Sequence, residues 1–333
     1  MARSTRIGLA GDVMLGRQVD ARQRSRPLDA VWGDVLPRLR SLDGLLINLE
    51  CCLSERGRPW TRTYRPFHFR ATPDRALPAL RSAGVDCCSL ANNHTLDYGE
   101  PALLDTLDAL DGAGIARSGA GRTVAEAREP ARFSVDGLDV AVVSFTDNTP
   151  EYAATPDSPG TAHVRFDPAS SGSRRVVDDA LSAARARDPD LLVASLHWGP
   201  NMVTEPPPAF RTFGRRLVDR GVDVVHGHSA HVFQGVEVRD GKPILYDAGD
   251  FVDDYVVDPD LRNDLSFLFE VAVDGDGAPT DLRLSPVEIR DCAVHEATPA
   301  AARWCRDRMR ELSAPFGTSF EREEGGLRIV LDD

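Results

Sequence analysis

Short, mostly apolar runs bounded by Gly, Asp or Asn recur along the chain at residues 7–10, 45–49, 85–90, 140–145, 191–196 and 222–225. Their length and β-branched content predict buried strands. Between them, apolar positions fall at helical spacing over residues 31–42, 73–83, 101–113, 173–185 and 209–220, several preceded by an Asp, Thr or Ser able to cap a helix. Strand and helix in alternation predict an α/β layered fold. Beyond His231 the pattern changes to successive strands at 232–239, 244–246, 265–273 and 282–289, with Asp240-Gly241 as a hairpin turn. A closing helix at 299–312 carries Trp304, Met309 and Leu312 on one face. Residues 148–173, with four prolines, read as a long surface loop able to cover a site. No repeat or linker divides the chain, so residues 1–333 are expected to form a single domain.

The ends of the predicted strands carry chemistry of one kind. Strand 7–10 runs into Gly11-Asp12; strand 45–49 carries Asn48 and ends in Glu50; strand 85–90 leads to Asn92-Asn93-His94. Strand 191–196 ends in His197-Trp198-Gly199, and strand 222–225 in His226-Gly227-His228-Ser229-Ala230-His231. Loops at the carboxyl ends of strands project side chains into a common crevice, which is where α/β sheets bind ligands. A lone strand-end Asp is usually a turn or cap residue, and a lone buried His a hydrogen-bonded core residue. Five such residues together, Asp12, Glu50, Asn93, His197 and His228, predict a metal site. Carboxylate, carboxamide and imidazole donors suit Zn, Mn or Fe, whereas Mg or Ca alone would favour oxygen. One or two divalent ions are expected.

Composition narrows the remaining possibilities. A net charge of −13 argues against sequence-independent nucleic-acid binding, which neutralises phosphates with Lys and Arg. The hydrophobic share of 42% is ordinary, and no stretch reaches the roughly 20 apolar residues of a membrane span. Residues 1–7 lack the apolar region of a secretory signal, so a cytoplasmic location without a membrane partner is expected. Four of the six cysteines form the adjacent pairs Cys51-Cys52 and Cys87-Cys88 in apolar runs, which reads as buried thiols rather than disulfides.

Taken in order, Gly11-Asp12-Val13-Met14-Leu15-Gly16, Asn48-Leu49-Glu50, Asn92-Asn93-His94 with Asp97-Tyr98-Gly99, Leu196-His197-Trp198-Gly199, Gly227-His228 with His231-Val232 and Gln234, and Leu245-Tyr246 with Gly249-Asp250-Phe251 resemble the CapA family of poly-γ-glutamate capsule synthesis. That family is similar to the calcineurin-like metallophosphoesterases. The resemblance covers roughly residues 5–290 and implies a four-layer α/β/β/α sandwich with a metal centre at the strand ends. It implies that Glu50, Asn93, His197 and His228 form one ligand set, with Asp12 in the other. Two departures stand out. Met14 occupies the place of a ligand His after the first Asp, and Ala230 that of the last His in a Gly-His-x-His motif. His231, one residue late, is a candidate replacement.

A two-metal clamp stabilises both the attacking and leaving oxygens of an in-line displacement. Losing two ligands weakens the case for a phosphoesterase and leaves Lewis-acid chemistry with nearby acid/base groups. The resemblance also extends to soluble relatives that epimerise the C-terminal residue of a lasso-peptide precursor. That reaction needs a base on one face of Cα and an acid on the other, and Asp12, His94 and His295 are the candidates. His94 is equally read as a support for Asp12. The expected partner is a peptide, with a precursor peptide and its leader-binding protein as one form of it. Arg65 and Arg70, in an aromatic and Arg-rich stretch, are candidates to grip its carboxylate, with Trp198 a further contact. The same stretch reads equally as a solvated loop edge. A phosphoesterase or other hydrolase, and a poly-γ-glutamate-related binding protein, are the competing readings.

Overall fold

The apolar runs become the inner strands of two sheets packed face to face. The computed structural model describes residues 4–323 and 325–331. In the larger, ten-stranded sheet the first strand, Thr5–Val13, lies parallel to Gly44–Leu49 on one side and antiparallel to Leu265–Val273 on the other. Cys87–Ser89 and Ala116–Ser118 extend it in parallel, and Pro279–Arg290 extends the far side antiparallel. The six-stranded sheet is ordered Val236–Arg239, Lys242–Leu245, Val224–His228, Leu191–His197, Leu138–Thr146, Ala131–Val135.

Alternation along each strand divides the core into three slabs. Ile7, Leu9 and Leu46 meet Val140, Val193 and Val224 between the sheets. The opposite face of the large sheet, with Ala10, Ile47 and Cys88, packs against the helices Pro73–Ala83 and Gly99–Ala113. The opposite face of the small sheet, with Ala141, Val143 and Leu192, packs against Ser171–Arg185 and Pro208–Asp219. Helix, sheet, sheet, helix is the expected four-layer sandwich. All six cysteines are free, and five are buried.

Three local readings change, and one short strand is added. Residues 31–42 are not one helix: a 3-10 segment, Ala30–Val35, breaks at Gly33 (φ 46°, ψ −138°) before a single turn at Leu36–Leu39. A side chain at Gly33 would fall 2.3 Å from the Val294 carbonyl, so close approach to the neighbouring strand sets the break. The predicted strand 232–239 shortens to Val236–Arg239: residues 229–231 turn into the site, and Phe233 packs against Phe267 and Trp304 in the core. The 148–173 segment is anchored rather than loose: Tyr152, Ala162, Val164 and Phe166 are buried. Finally, the short strand Asp250–Val252 pairs in parallel with the end of the first strand, opposing Asp12 to Asp250. Gly11 permits this, since a Cβ there would lie 1.8 Å from the Gly249 carbonyl oxygen.

Candidate metal centre

The carboxyl ends of the two sheets converge, and they bring Asp12, Glu50, His197 and His228 together as a buried group with the half-buried Asn93 at its edge. Parallel pairing places His197 directly opposite His228. Their Nδ1 atoms are 3.0 Å apart and face Asp12 Oδ1 at 3.9 and 3.6 Å. Asn48 Nδ2 donates to that same oxygen at 2.7 Å, and His197 Nε2 is 2.8 Å from Asn93 Oδ1. Behind His228, Ser195 Oγ lies 2.9 Å from Nε2, which turns Nδ1 toward Asp12. Glu50 Oε1 sits 3.7 Å from His197 Nε2 and 3.8 Å from His94 Nε2.

The electrostatics suit a cation. Burial pushes His197 down to about 3 and His228 well below the usual imidazole range, so both present neutral donor nitrogens. Asp12 is held well below the carboxylate range: burial opposes its charge, but the bond to His231 and the neighbouring imidazoles outweigh it. Glu50 moves the other way, raised by burial and then by the charge of Asp12. Both Glu50 oxygens are buried without a hydrogen-bond partner. A buried carboxylate left unpaired is costly, and a divalent ion held among Asp12, Glu50, Asn93, His197 and His228 would satisfy it. Asp12, His197 and His228 have donor atoms within 4.8 Å of one another, and so do Asp12, His231 and Asp250.

His231 reaches the centre through strain. Ser229 (φ 116°) and His231 (φ 60°) both lie in the left-handed region. The loop is pinned there because the Ser229 amide donates to Asp12 Oδ2 at 3.2 Å and the Ala230 amide to Asp247 Oδ2 at 2.7 Å. His231 Nδ1 is then 2.8 Å from Asp250 Oδ1 and 3.5 Å from Asp12 Oδ2. Burial disfavours its charge, yet Asp250, Asp12 and Glu50 raise it well above the ordinary imidazole range. Across the site His94 repeats the arrangement, with Nδ1 2.6 Å from Asp97 Oδ2. Tyr152 supports that carboxylate from below, its hydroxyl donating to Asp97 Oδ1 at 3.2 Å. Each imidazole also packs edge-on against an aromatic ring, His94 on Phe69 and His231 on Tyr255, and those two rings touch each other.

His94 and His231 both open onto one cleft of about 480 Å³, walled by Arg65, Phe67, Met202, Tyr255 and Val256. Other predicted residues lie elsewhere. His295 pairs with Asp34 at 3.5 Å beside Gly33 and makes no contact with the cluster, which corrects its expected catalytic place. Trp198 is a core residue, stacked on Phe210 with its indole nitrogen donating to the Tyr246 carbonyl, and not a substrate contact. Being next to His197 on a strand turns it to the opposite face. Arg70 donates to the Arg56 carbonyl and covers the Tyr98 ring, away from the cleft that Arg65 lines. Met14 packs in the core, and the Ala230 amide is spent on Asp247. Sequence reading gave no role to Asp97, Asp247 or Asp250. Their one signal was that two of them, Asp97 and Asp250, fall inside the motifs Asp97-Tyr98-Gly99 and Gly249-Asp250-Phe251.

A probable polyglutamine synthesis accessory protein of Mycobacterium tuberculosis is 36% identical over 299 residues, covering 86% of this chain and 77% of that protein. The PGA biosynthesis protein CapA of Bacillus subtilis is 26% identical over 330 residues, 97% of this chain and 81% of its own. Among solved structures, TT1561 of Thermus thermophilus aligns over 80% of this chain and 93% of its own, with 8% identity and a TM-score of 0.41. A purple acid phosphatase from yellow lupin covers 89% of this chain and 53% of its own, at 8% identity and a TM-score of 0.39. The model of the bacterial capsule synthesis protein family, PGA_cap, matches residues 6–255, and the chain belongs to that family.

Proposed function

We propose that this chain is a metal-dependent epimerase that inverts a Cα centre of a peptide, with His94 and His231 as its two proton carriers. The observation that carries the reading is the pair of His–carboxylate dyads, His94–Asp97 and His231–Asp250, lining one cleft beside a ligand cluster. In each dyad the carboxylate engages Nδ1, which fixes the tautomer and leaves Nε2 as the nitrogen that exchanges a proton. Inversion needs such groups in complementary states, one accepting the Cα proton while the other donates to the opposite face. A bound divalent ion would supply Lewis-acid stabilisation of the negative charge that the departing proton leaves on the substrate oxygen. Asp12 takes part as a ligand and hydrogen-bond acceptor rather than as a proton carrier, and His295 takes no part. Arg65, over the Tyr152 ring and 3.2 Å from Glu151, is placed to exchange that partner for a substrate carboxylate. The partner is a peptide, such as a ribosomal precursor presented by its leader-binding protein.

The second reading is a two-metal hydrolase of the phosphoesterase kind. It is favoured by the sharing of Asp12 between the His197–His228 and the His231–Asp250 groups, which makes it a candidate bridging ligand. One experiment separates the two. The metal-loaded chain, incubated in D₂O with peptides of both C-terminal configurations, is expected to place one deuterium at Cα and to interconvert the isomers. No exchange, together with turnover of an aryl phosphate in the presence of Mn, would replace the epimerase with the hydrolase.

A further inference from the structure

Tyr152 and Tyr246 are buried, and each spends its hydroxyl on a carboxylate: Tyr152 donates to Asp97 at 3.2 Å and Tyr246 to Glu237 at 2.7 Å. A phenol removed from water usually finds such a partner. Tyr255 does not. It is half-buried and lines the cleft, and among the described residues its hydroxyl makes no hydrogen bond, although it is not sealed from solvent.

The chain around Tyr255 holds it in place. After the short strand Asp250–Val252, Asp253 Oδ1 accepts the Tyr255 amide at 3.2 Å, which turns the backbone toward the cleft. Asp254 anchors the same turn from behind, accepting the Gln18 amide at 2.8 Å and lying 3.4 Å from Arg17. The ring is wedged against His231, 5.0 Å between centroids, and against Phe67 and Phe69, each at 5.8 Å. Its remaining edge faces the cleft that His94 and His231 share. Among the charged groups Glu50 acts on the phenol most, ahead of Asp250, Asp253 and Asp12, so the hydroxyl is turned toward the ligand cluster and not back along its own loop. Burial first, and then these charges, raise the phenol above its ordinary range, which makes it a donor and not a base.

We propose that Tyr255 is a further catalytic residue, its hydroxyl donating a hydrogen bond to the substrate oxygen that gains charge as Cα loses its proton; the assignment rests on the proposed inversion. When one histidine takes the Cα proton, the C–H electron pair becomes a Cα–C π bond and the carbonyl π pair moves onto oxygen. A proton delivered by the other histidine to the opposite face reverses both shifts. Tyr255 keeps its own proton throughout. A neutral donor suits a site already crowded by Glu50 and Asp12, because it attracts new negative charge without altering the charge of the ligand set. Being wedged, it needs no reorganisation as that charge appears. The wall of the cleft needs only the ring, so hydroxyl and ring are separable by substitution.

The test uses the full, metal-loaded chain, and its first measurement is deuterium uptake at Cα of a peptide incubated with the parent in D₂O. No uptake by the parent would remove the inversion itself and this assignment with it. With the parent active, Tyr255→Phe is expected to lower kcat by about 10²–10³-fold while KM stays within about threefold. Its divalent-metal affinity, read by calorimetric titration, should be unchanged. Tyr255→3-fluorotyrosine, a stronger donor of nearly the same shape, should hold the rate at or above that of the parent, which separates loss of the donor from disturbance of the loop. An active parent with an undiminished rate in Tyr255→Phe, a loss confined to KM, weakened metal binding in that variant, or an equal loss in the fluorotyrosine chain would each overturn the role.

Discussion

The two pairs of histidines at the centre of the molecule are built from the same side chain and set in opposite surroundings. His197 and His228 sit on adjacent strands, face each other across 3.0 Å, and are driven neutral by burial. His94 and His231 sit on loops, each bound through Nδ1 to a carboxylate, and both open onto the cleft. At His197 and His228 burial outweighs the nearby Asp12 carboxylate and leaves neutral lone-pair donors, whereas at His231 the carboxylates of Asp250 and Asp12 outweigh burial. On the proposed reading, what surrounds the ring, more than the ring itself, divides binding from chemistry.

The sharpest way to break this division is to remove one member of each pair. His197→Ala or His228→Ala should lower divalent-metal affinity at least about 100-fold, and activity with it, as read by calorimetric titration of the apo chain. His94→Gln and His231→Gln should instead bind metal within a few-fold of the parent while inversion falls by about 10²–10⁴. Each should still wash the Cα proton out of one stereoisomer and not the other, in opposite senses. Metal loss in these variants, with activity surviving in His197→Ala, would reverse the assignment of the two pairs.

Smaller effects sharpen it further. Tyr152→Phe removes the hydroxyl that donates to Asp97, and a loss of about 1 kcal/mol, or roughly fivefold in rate, is expected with metal affinity unchanged. His295→Ala, which breaks only a partly exposed contact with Asp34, should leave both rate and metal binding within about twofold. A steady-state comparison of the two variants checks both.

Much of this was legible in the chain because strand ends announce themselves. Apolar runs closing on Asp12, Glu50, Asn93, His197 and His228 fix which residues meet once the strands lie parallel, since parallel pairing aligns carboxyl ends. Asp97 and Asp250 were not legible as partners. Asp97 follows His94 by three residues in a turn where an Asp ordinarily caps or reverses the chain. Asp250 opens a strand of three residues, too short to show any alternation, whose partner lies at the other end of the sequence. Trp198 and His295 failed for a related reason. Adjacency to a ligand says nothing about which face a side chain takes, and the break at Gly33 that seats the strand Ala293–Glu296 cannot be read from helical periodicity.

The strained turn from His228 to His231 sets which side chain faces the cleft. A histidine two residues after His228 would stand where Ala230 now spends its amide on Asp247; one residue further along, it faces Asp250 and the cleft. Under the proposed function, sliding a single imidazole by one position along this loop would exchange a ligand position for one facing the cleft, with both sheets and all three core slabs left in place. On the proposed reading, a change of register by one residue in a tight turn would be enough to change the chemistry offered to the cleft, with no change of fold.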